Sequence, residues 1–431
     1  MLYINGTWCD SKSGDQIQVI NPANGEVVDV AAKGGALDAE AAIDAAHQAF
    51  QKWSKQTANE RYSYLMKAAE ALHKRADEIA ELVTREMGKP LAESRTELNL
   101  AIDYLRWYAE EGKRIYGDTI PASSSDKRIL VLRQPVGVVA AITPWNFPLA
   151  MIARKVGPAL AAGCTVVLKA ASATPLSAIA ILKAFDEAGL PAGVLNLVNG
   201  SASEVVGALM KSPLVRKVTF TGSTEVGKQL AKQAADTMKK TSMELGGHAP
   251  LLIFEDADLE QAAEGVIASK FRNAGQTCVC TNRVYVQKSV LDRFSGLLIN
   301  KMRQLKVGNG LEEGIKIGPL IDEDALAKVM SQVEDAVNKG AVIGCGGRRL
   351  EDGELADGTF YEPTLLLHAT HDMLIAREET FGPVMPLFAF DTEEEAIQRA
   401  NDTEYGLAAY VYTNDLSRTI RVMEALDYGI V

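Results

Sequence analysis

The chain predicts an α/β fold built on a doubly wound, nucleotide-binding type of sheet, and three observations point there. From Val136 onward, short apolar runs alternate with amphipathic segments, the βαβ alternation that produces a mainly parallel sheet. At 431 residues the chain exceeds what one hydrophobic core usually supports, so two or more domains are expected. Its residues are 47% apolar and 23% charged, an ordinary globular balance that leaves apolar side chains for each core.

The N-terminal part, residues 37–117, reads as helical. Residues 61–86 and 91–114 are rich in Ala and Leu and laced with charge, with apolar side chains recurring at every third or fourth position; Pro90 and Gly117 punctuate them. Residues 128–133 form a β-type run behind a Ser-rich turn, flanked by charge as exposed or edge strands are. Strands are then expected at 136–142, 164–170, 194–198 and 217–221. Between them lies a helix with Thr174 as N-cap and Pro175 in its first position. A second α/β region has strands at 250–254 and 283–287 and helices at 259–270 and 290–305. No internal repeat or low-complexity tract interrupts the chain, which stops inside a strand-like apolar run, residues 428–431.

Composition excludes several classes. A formal charge of −11, with no Lys/Arg block interleaved with aromatics, lacks the footprint of a nucleic-acid or anionic-membrane binder. The N-terminus has no basic segment followed by an apolar stretch, and no run reaches spanning length, so the cytoplasm is the expected location. Five scattered cysteines argue for reduced thiols rather than a disulfide framework. The five histidines show no metal-ligand spacing and Cys278/Cys280 are one residue too close for a zinc knuckle, so no metal is expected.

Four segments carry chemistry. Gly222-Ser223-Thr224-Glu225-Val226-Gly227-Lys228-Gln229 resembles a phosphate-binding P-loop until Gln229 replaces the hydroxyl residue that ligates magnesium. What remains is a Gly-rich strand-to-helix turn whose amides can approach a cofactor, or a plain tight turn. Cys278 lies in a polar, Gly-containing loop between a helix and a strand, where a thiol can be presented to substrate, although a lone cysteine is more often a small buried hydrophobe. Glu244 stands beside two glycines before a buried strand, where desolvation would suit a general base, or it is a solvated turn residue. Asn146, just past the strand at 136–142, is either a turn-former or an amide donor for an oxyanion.

Together, residues 143–148 (TPWNFP), 243–250 (MELGGHAP), 222–227 (GSTEVG), 273–278 (NAGQTC) and 378–383 (EETFGP) resemble, in order and spacing, the motifs of the aldehyde dehydrogenase superfamily. The likeness runs from about Tyr3 to the last residue, and is greatest to bacterial succinate-semialdehyde dehydrogenases of the NADP type. It implies a Rossmann-like cofactor domain (1–121 and 136–248), a catalytic α/β domain (249–431), and a small β oligomerisation arm (122–135) whose C-terminal strand lies beyond residue 431. By the same resemblance Cys278 is the nucleophile, Asn146 with the Cys278 amide forms the oxyanion hole, and Glu244 activates the water that hydrolyses a thioester. The chemistry is coherent: an aldehyde releases hydride only from a tetrahedral adduct, so a thiolate must add first.

The resemblance assigns cofactor contacts to Trp145, Lys169, Ser172, Gly222, Ser223, Leu245 and Glu379. Ser172 stands where NAD-preferring relatives often carry Glu; a carboxylate there would repel a 2′-phosphate, whereas Ser donates to it, so NADP is expected ahead of NAD. Ala170 departs from the usual Lys-Pro. Arg154 and Arg272 match the positions that hold the distal carboxylate of succinate semialdehyde, for which a fork-shaped guanidinium is suited. Glutarate semialdehyde or another small aldehyde is the nearest alternative substrate. Cys280 matches a position that in some relatives pairs with the nucleophile in an inhibitory disulfide. A homo-oligomer, dimer or tetramer, is expected of the full-length protein, with a small aldehyde as its partner and no nucleic acid or membrane. Two rivals remain: a cofactor-free cysteine hydrolase, against which the retained cofactor positions argue, and an inactive, C-terminally truncated fragment.

Overall fold

The computed structural model describes residues 1–431, and the chain forms two compact units. One comprises residues 1–20, 27–86 and 94–244; the other comprises residues 21–26, 87–93 and 245–431. No helix is long and apolar enough to cross a membrane.

The first unit carries a seven-stranded sheet in the order Lys240–Glu244, Val215–Thr221, Val138–Ile142, Thr165–Lys169, Leu195–Leu197, Leu2–Ile4, Thr7–Cys9. The first five run parallel and the last two join antiparallel. Strands Val138–Ile142 and Thr165–Lys169 are buried at every position, which is why they read as unbroken apolar runs rather than alternating ones. The chain winds from Val138–Ile142 out to Leu195–Leu197, then returns to the other side of its starting strand as Val215–Thr221. This reversal, between Val138–Ile142 and Val215–Thr221, marks the place where open α/β sheets take ligands, at the carboxyl ends of the strands.

The expected strands of this sheet shift by at most two residues at either end. Other elements differ more. The helical run at 61–86 is two helices, Ala58–Lys74 and Ala76–Met87, separated at Arg75, whose guanidinium pairs with Glu78 at 2.7 Å. Residues 91–114 form the helix Leu91–Glu111 followed by a single 3-10 turn. Strand Ile129–Val131 pairs with Asp118–Ile120, and both are exposed throughout. The N-terminal strands Leu2–Ile4 and Thr7–Cys9, three residues each, were too short to show a period; Tyr3 and Trp8 both donate to Asp186, each at 2.9 Å, and tie them to the unit.

Two buried carboxylates start the helices that flank the sheet's functional end. Glu97 Oε1 accepts from the amides of Leu149 (2.8 Å) and Ala150 (3.1 Å) at the head of helix Ala150–Ala161. Glu86 accepts from Leu176 (2.9 Å) and Ser177 (2.8 Å) at the head of Pro175–Glu187. Thr174 is the N-cap residue, as expected, but its hydroxyl makes no capping bond; Glu86 supplies that acceptor instead.

The second unit carries a six-stranded sheet ordered Val342–Cys345, Thr364–Leu367, Val384–Phe390, Thr281–Gln287, Ala249–Ile253, Tyr410–Tyr412, antiparallel only at its first pair. Helices Leu259–Phe271, Leu291–Met302 and Glu323–Asn338 contribute buried apolar side chains to its core.

Candidate active site

In the first unit, the expected site residues gather where the parallel strands end. Residues 143–146 follow directly on Ile142, Gly222 and Ser223 follow on Thr221, Lys169 closes Thr165–Lys169, and Glu244 closes Lys240–Glu244. Asn146 is buried and Trp145 half-buried. Ser223 is the N-cap of Thr224–Ala235, its Oγ accepting from Val226 at 3.4 Å, and a Cβ on Gly222 would lie 2.5 Å from the Phe220 ring. Glycine is therefore required there for close packing.

Several polar groups at this end lack protein partners. The hydroxyls of Thr143 and Thr221 and the side-chain amide of Asn199 are buried without a hydrogen bond. Lys169 is buried too, and burial alone draws its pKa down to about 8. Buried polar atoms without protein partners are costly unless water or a ligand satisfies them. A polar dinucleotide fits these donors and acceptors. Ser172 is exposed and its Oγ donates to the Gly200 carbonyl at 3.3 Å.

Of the two readings of Glu244, desolvated base or solvated residue, its surroundings match the solvated one. It is solvent-exposed, because Lys240–Glu244 is the edge strand and has a neighbour on one side only. Arg154 is also exposed, on helix Ala150–Ala161, with its guanidinium 5.6 Å from the Tyr104 ring centre. Sequence reasoning passed over its neighbour Lys155, which is buried, bonds to Thr219 Oγ1 at 3.2 Å, and has a pKa lowered to about 8, chiefly by burial. The only available signal was a second cation, next to Arg154, on a helix whose other residues are apolar.

In the second unit the expected residues lie at the amino ends of the strands. Leu245 to His248 precede Ala249–Ile253, Cys278 precedes Thr281–Gln287, and Glu379 precedes Val384–Phe390. Asn273, Ala274 and Gly275 all take left-handed backbone angles (φ 53°, 53° and 75°), so the chain leaves helix Leu259–Phe271 through a tightly folded turn. Gln276, fully buried, secures that turn: its Nε2 donates to the Asn273 and Pro319 carbonyls, and its Oε1 accepts from Ile321 at 2.9 Å. Tyr410, also passed over in sequence, donates from its hydroxyl to the Val279 carbonyl at 2.6 Å.

Cys278 is half-buried and forms no disulfide. A Cβ on Gly247 would lie 1.9 Å from the Cys278 carbonyl oxygen, so the diglycine segment and the cysteine loop pack backbone to backbone. Gly247 also donates its amide to Glu379 Oε1 at 2.9 Å. Burial raises the Glu379 pKa and this amide opposes the rise. Arg272 is exposed on the turn before Cys278. Cys280 is buried; its thiol donates to the Gly275 carbonyl at 3.3 Å and Lys270 Nζ lies 3.9 Å from its sulfur. His248 is buried and its pKa falls to about 3, largely from desolvation, so it stays a neutral imidazole in the working range.

A thiol on a glycine-packed loop, a carboxylate on a buried amide, and buried polar groups at the carboxyl ends of a parallel sheet suit a cofactor-dependent enzyme. The model of the aldehyde dehydrogenase family matches residues 8–431, and the chain belongs to that family. It is 54% identical to the NADP-dependent succinate-semialdehyde dehydrogenase of Escherichia coli over 99% of this chain and 88% of that one. It is equally, 54%, identical to a glutarate-semialdehyde dehydrogenase of Pseudomonas putida over 100% of this chain and 88% of its relative. Among solved structures, an NADP-dependent enzyme of Escherichia coli superposes with a TM-score of 0.98 at 54% identity, covering 100% of this chain and 89% of that one. The betaine aldehyde dehydrogenase of Staphylococcus aureus in complex with NAD+ superposes at 0.97 with 37% identity, covering 100% and 86%.

Proposed function

We propose that this chain oxidises succinate semialdehyde to succinate with NADP+ preferred over NAD+, glutarate semialdehyde being the nearest alternative substrate. What carries the reading is that relatives more than half identical over almost the whole chain bear the names of succinate- and glutarate-semialdehyde dehydrogenases, aldehydes that share a distal carboxylate. Arg154 and Arg272 then hold that carboxylate, since a planar guanidinium grips it through two parallel bonds.

In this reading the Cys278 thiolate adds to the aldehyde carbon. The Asn146 side-chain amide and the Cys278 backbone N–H stabilise the resulting oxyanion, a term typically worth about 2.7–4 kcal/mol per donor. When bound, the nicotinamide cofactor supplies the acceptor for the hydride that leaves this carbon. Lys169, Ser172, Gly222 and Ser223 hold its adenosine and phosphate portion; Trp145, Leu245 and Glu379 complete the set, with Glu379 at the nicotinamide ribose. Glu244, exposed to solvent, takes a proton from water, which cleaves the thioester to the acid and returns the thiol.

A disulfide between Cys278 and Cys280 would require the buried Cys280 to leave its bond to Gly275, so the loop must open before such a switch can operate. In the same reading the protein acts in the cytoplasm and, when full length, as a homodimer or homotetramer.

The test is reduced-cofactor formation with succinate semialdehyde against butanal, the uncharged aldehyde of equal chain length. Succinate semialdehyde is expected to be favoured at least tenfold in kcat/KM, with that preference lost in Arg272→Ala and all turnover lost in Cys278→Ala. Equal turnover of butanal would remove the carboxylate clamp and leave a general aldehyde dehydrogenase.

A further inference from the structure

A cavity of about 480 Å³ lies wholly within the first unit, lined by helix Ala150–Ala161 and strands Val215–Thr221 and Lys240–Glu244 among others. That is a small-ligand volume. Its wall carries three cations, Arg154, Lys155 and Lys217, against one carboxylate, Glu244. The cations are not equivalent. Arg154 is exposed, and Lys217 donates to Ser242 Oγ at 2.5 Å. Lys155 is only 6% exposed, and a single bond, to Thr219 Oγ1, serves a group that as an ammonium has three donors. Burial is the main reason its pKa falls, with Arg154 and Lys217 acting the same way and Glu244 opposing them. A pKa of about 8 leaves an appreciable fraction as free amine near neutrality, and a desolvated lysine amine is a nucleophile towards carbonyls.

We infer that Lys155 captures carboxylated aldehydes in this cavity as a reversible imine, with Arg154 beside it receiving the carboxylate. The inference rests on the substrate class proposed above. The amine nitrogen adds to the carbonyl carbon, and the carbinolamine then loses water. Both nitrogen protons leave with the carbonyl oxygen, so a C=N bond replaces C=O without oxidant or reductant. The reaction differs from oxidation at Cys278 in that it consumes no cofactor and hydrolysis returns the aldehyde unchanged, but it draws on Arg154 and lies beside Glu244, two groups the proposed oxidation also uses. It makes the cavity a brake that fills as aldehyde accumulates.

The experiment uses the full chain carrying Cys278→Ala, which cannot turn the aldehyde over, incubated with succinate semialdehyde and cyanoborohydride. Reduction fixes any imine as a stable secondary amine that peptide mass mapping locates. Lys155 is expected to be labelled at least tenfold faster than the average surface lysine, more so as pH is raised towards 8, and the labelled peptide is expected to vanish in Lys155→Arg. The unsubstituted chain is mapped alongside, so the result does not depend on either variant folding. Labelling of Lys155 no faster than surface lysines, with both aldehydes, overturns the imine site and leaves the Arg154 assignment standing. Labelling by butanal as fast as by succinate semialdehyde overturns the part of Arg154 in the imine site, while the substrate class stands or falls with the oxidation assay.

Discussion

Lys169 shows how a single buried residue can report on the cofactor. Burial lowers its pKa from 10.5 to about 8, so between those values the folded chain binds fewer protons than the unfolded one. Stability therefore rises with pH across that window, as the penalty of a buried charge is relieved. Cofactor affinity runs the other way. A 2′-phosphate is held by the ammonium and not by the amine, so the NADP+ dissociation constant is expected to increase as pH passes 8. Lys169→Met should flatten that dependence and weaken binding by about 10–100-fold, from the ~1.5–3 kcal/mol of a hydrogen bond to a charged group. Calorimetric titration with NADP+ from pH 7 to pH 9.5 is the check; unchanged affinity in Lys169→Met would remove this residue from the cofactor grip. The identity of Lys169 was legible because the family motif marks it. Its desolvation was not, because that depends on how deeply the end of a five-residue strand lies in the sheet. The same limit explains Glu244: the motif located the carboxylate, but only the strand order reveals that it closes an exposed edge.

Among the elements, the parallel strands were the most legible, since strands buried on both faces are unbroken apolar runs bounded by polar turns. The break at Arg75 was hidden because no Gly or Pro marks it, and Ala76 begins the next helix at once. The helix caps were hidden for a different reason: Glu86 lies 90 positions before the amide of Leu176 it receives, so no local pattern records the pairing. Burial pushes the Glu86 pKa up to about 8, against the opposing bonds from Ser177 and Leu176, and the nearby Glu97 adds to the rise. With the folded value above the unfolded 4.5, the native state holds the extra proton, so stability falls as pH climbs from about 4.5 towards 8. Glu86→Gln, nearly isosteric and without charge, should lack that slope. Glu86→Ala should cost about 2–6 kcal/mol near pH 5, because two buried helix amides lose their acceptor at ~1–3 kcal/mol each, and the cost should shrink as pH climbs towards 8, since the alanine variant also lacks the slope. Thermal unfolding of the unsubstituted chain and both variants between pH 5 and pH 9 decides the matter; parallel curves for the unsubstituted chain and Glu86→Gln would show that this carboxyl is ionised throughout.

For the molecule as a whole, the two sheets use opposite ends. The first unit presents its proposed site residues at the carboxyl ends of its parallel strands, the usual ligand side, whereas the second presents Cys278, Gly247 and Glu379 at the amino ends of its own. The chain passes from one unit to the other between Glu244 and Leu245, inside a single motif, so one short segment supplies both a strand end and a strand beginning. The remaining unpartnered feature is the hairpin Asp118–Ile120 with Ile129–Val131. Leu130 and Leu132 are 70% and 78% exposed, and Tyr116 and Ile120 are exposed beside them in the chain. An exposed two-stranded ribbon of this kind is marginal in water, and apolar side chains on an open strand edge invite pairing with another chain. We propose that the dimer or tetramer, where it forms, uses this hairpin. The double substitution Leu130→Asp with Leu132→Asp is then expected to reduce the mass measured by sedimentation to the 46.4 kDa of one chain. Because neither side chain belongs to a buried core, the unfolding temperature of the separated chain should fall only by what association itself contributes. An undiminished sedimentation mass would place the contact between copies elsewhere on the molecule and leave the hairpin without a role in assembly.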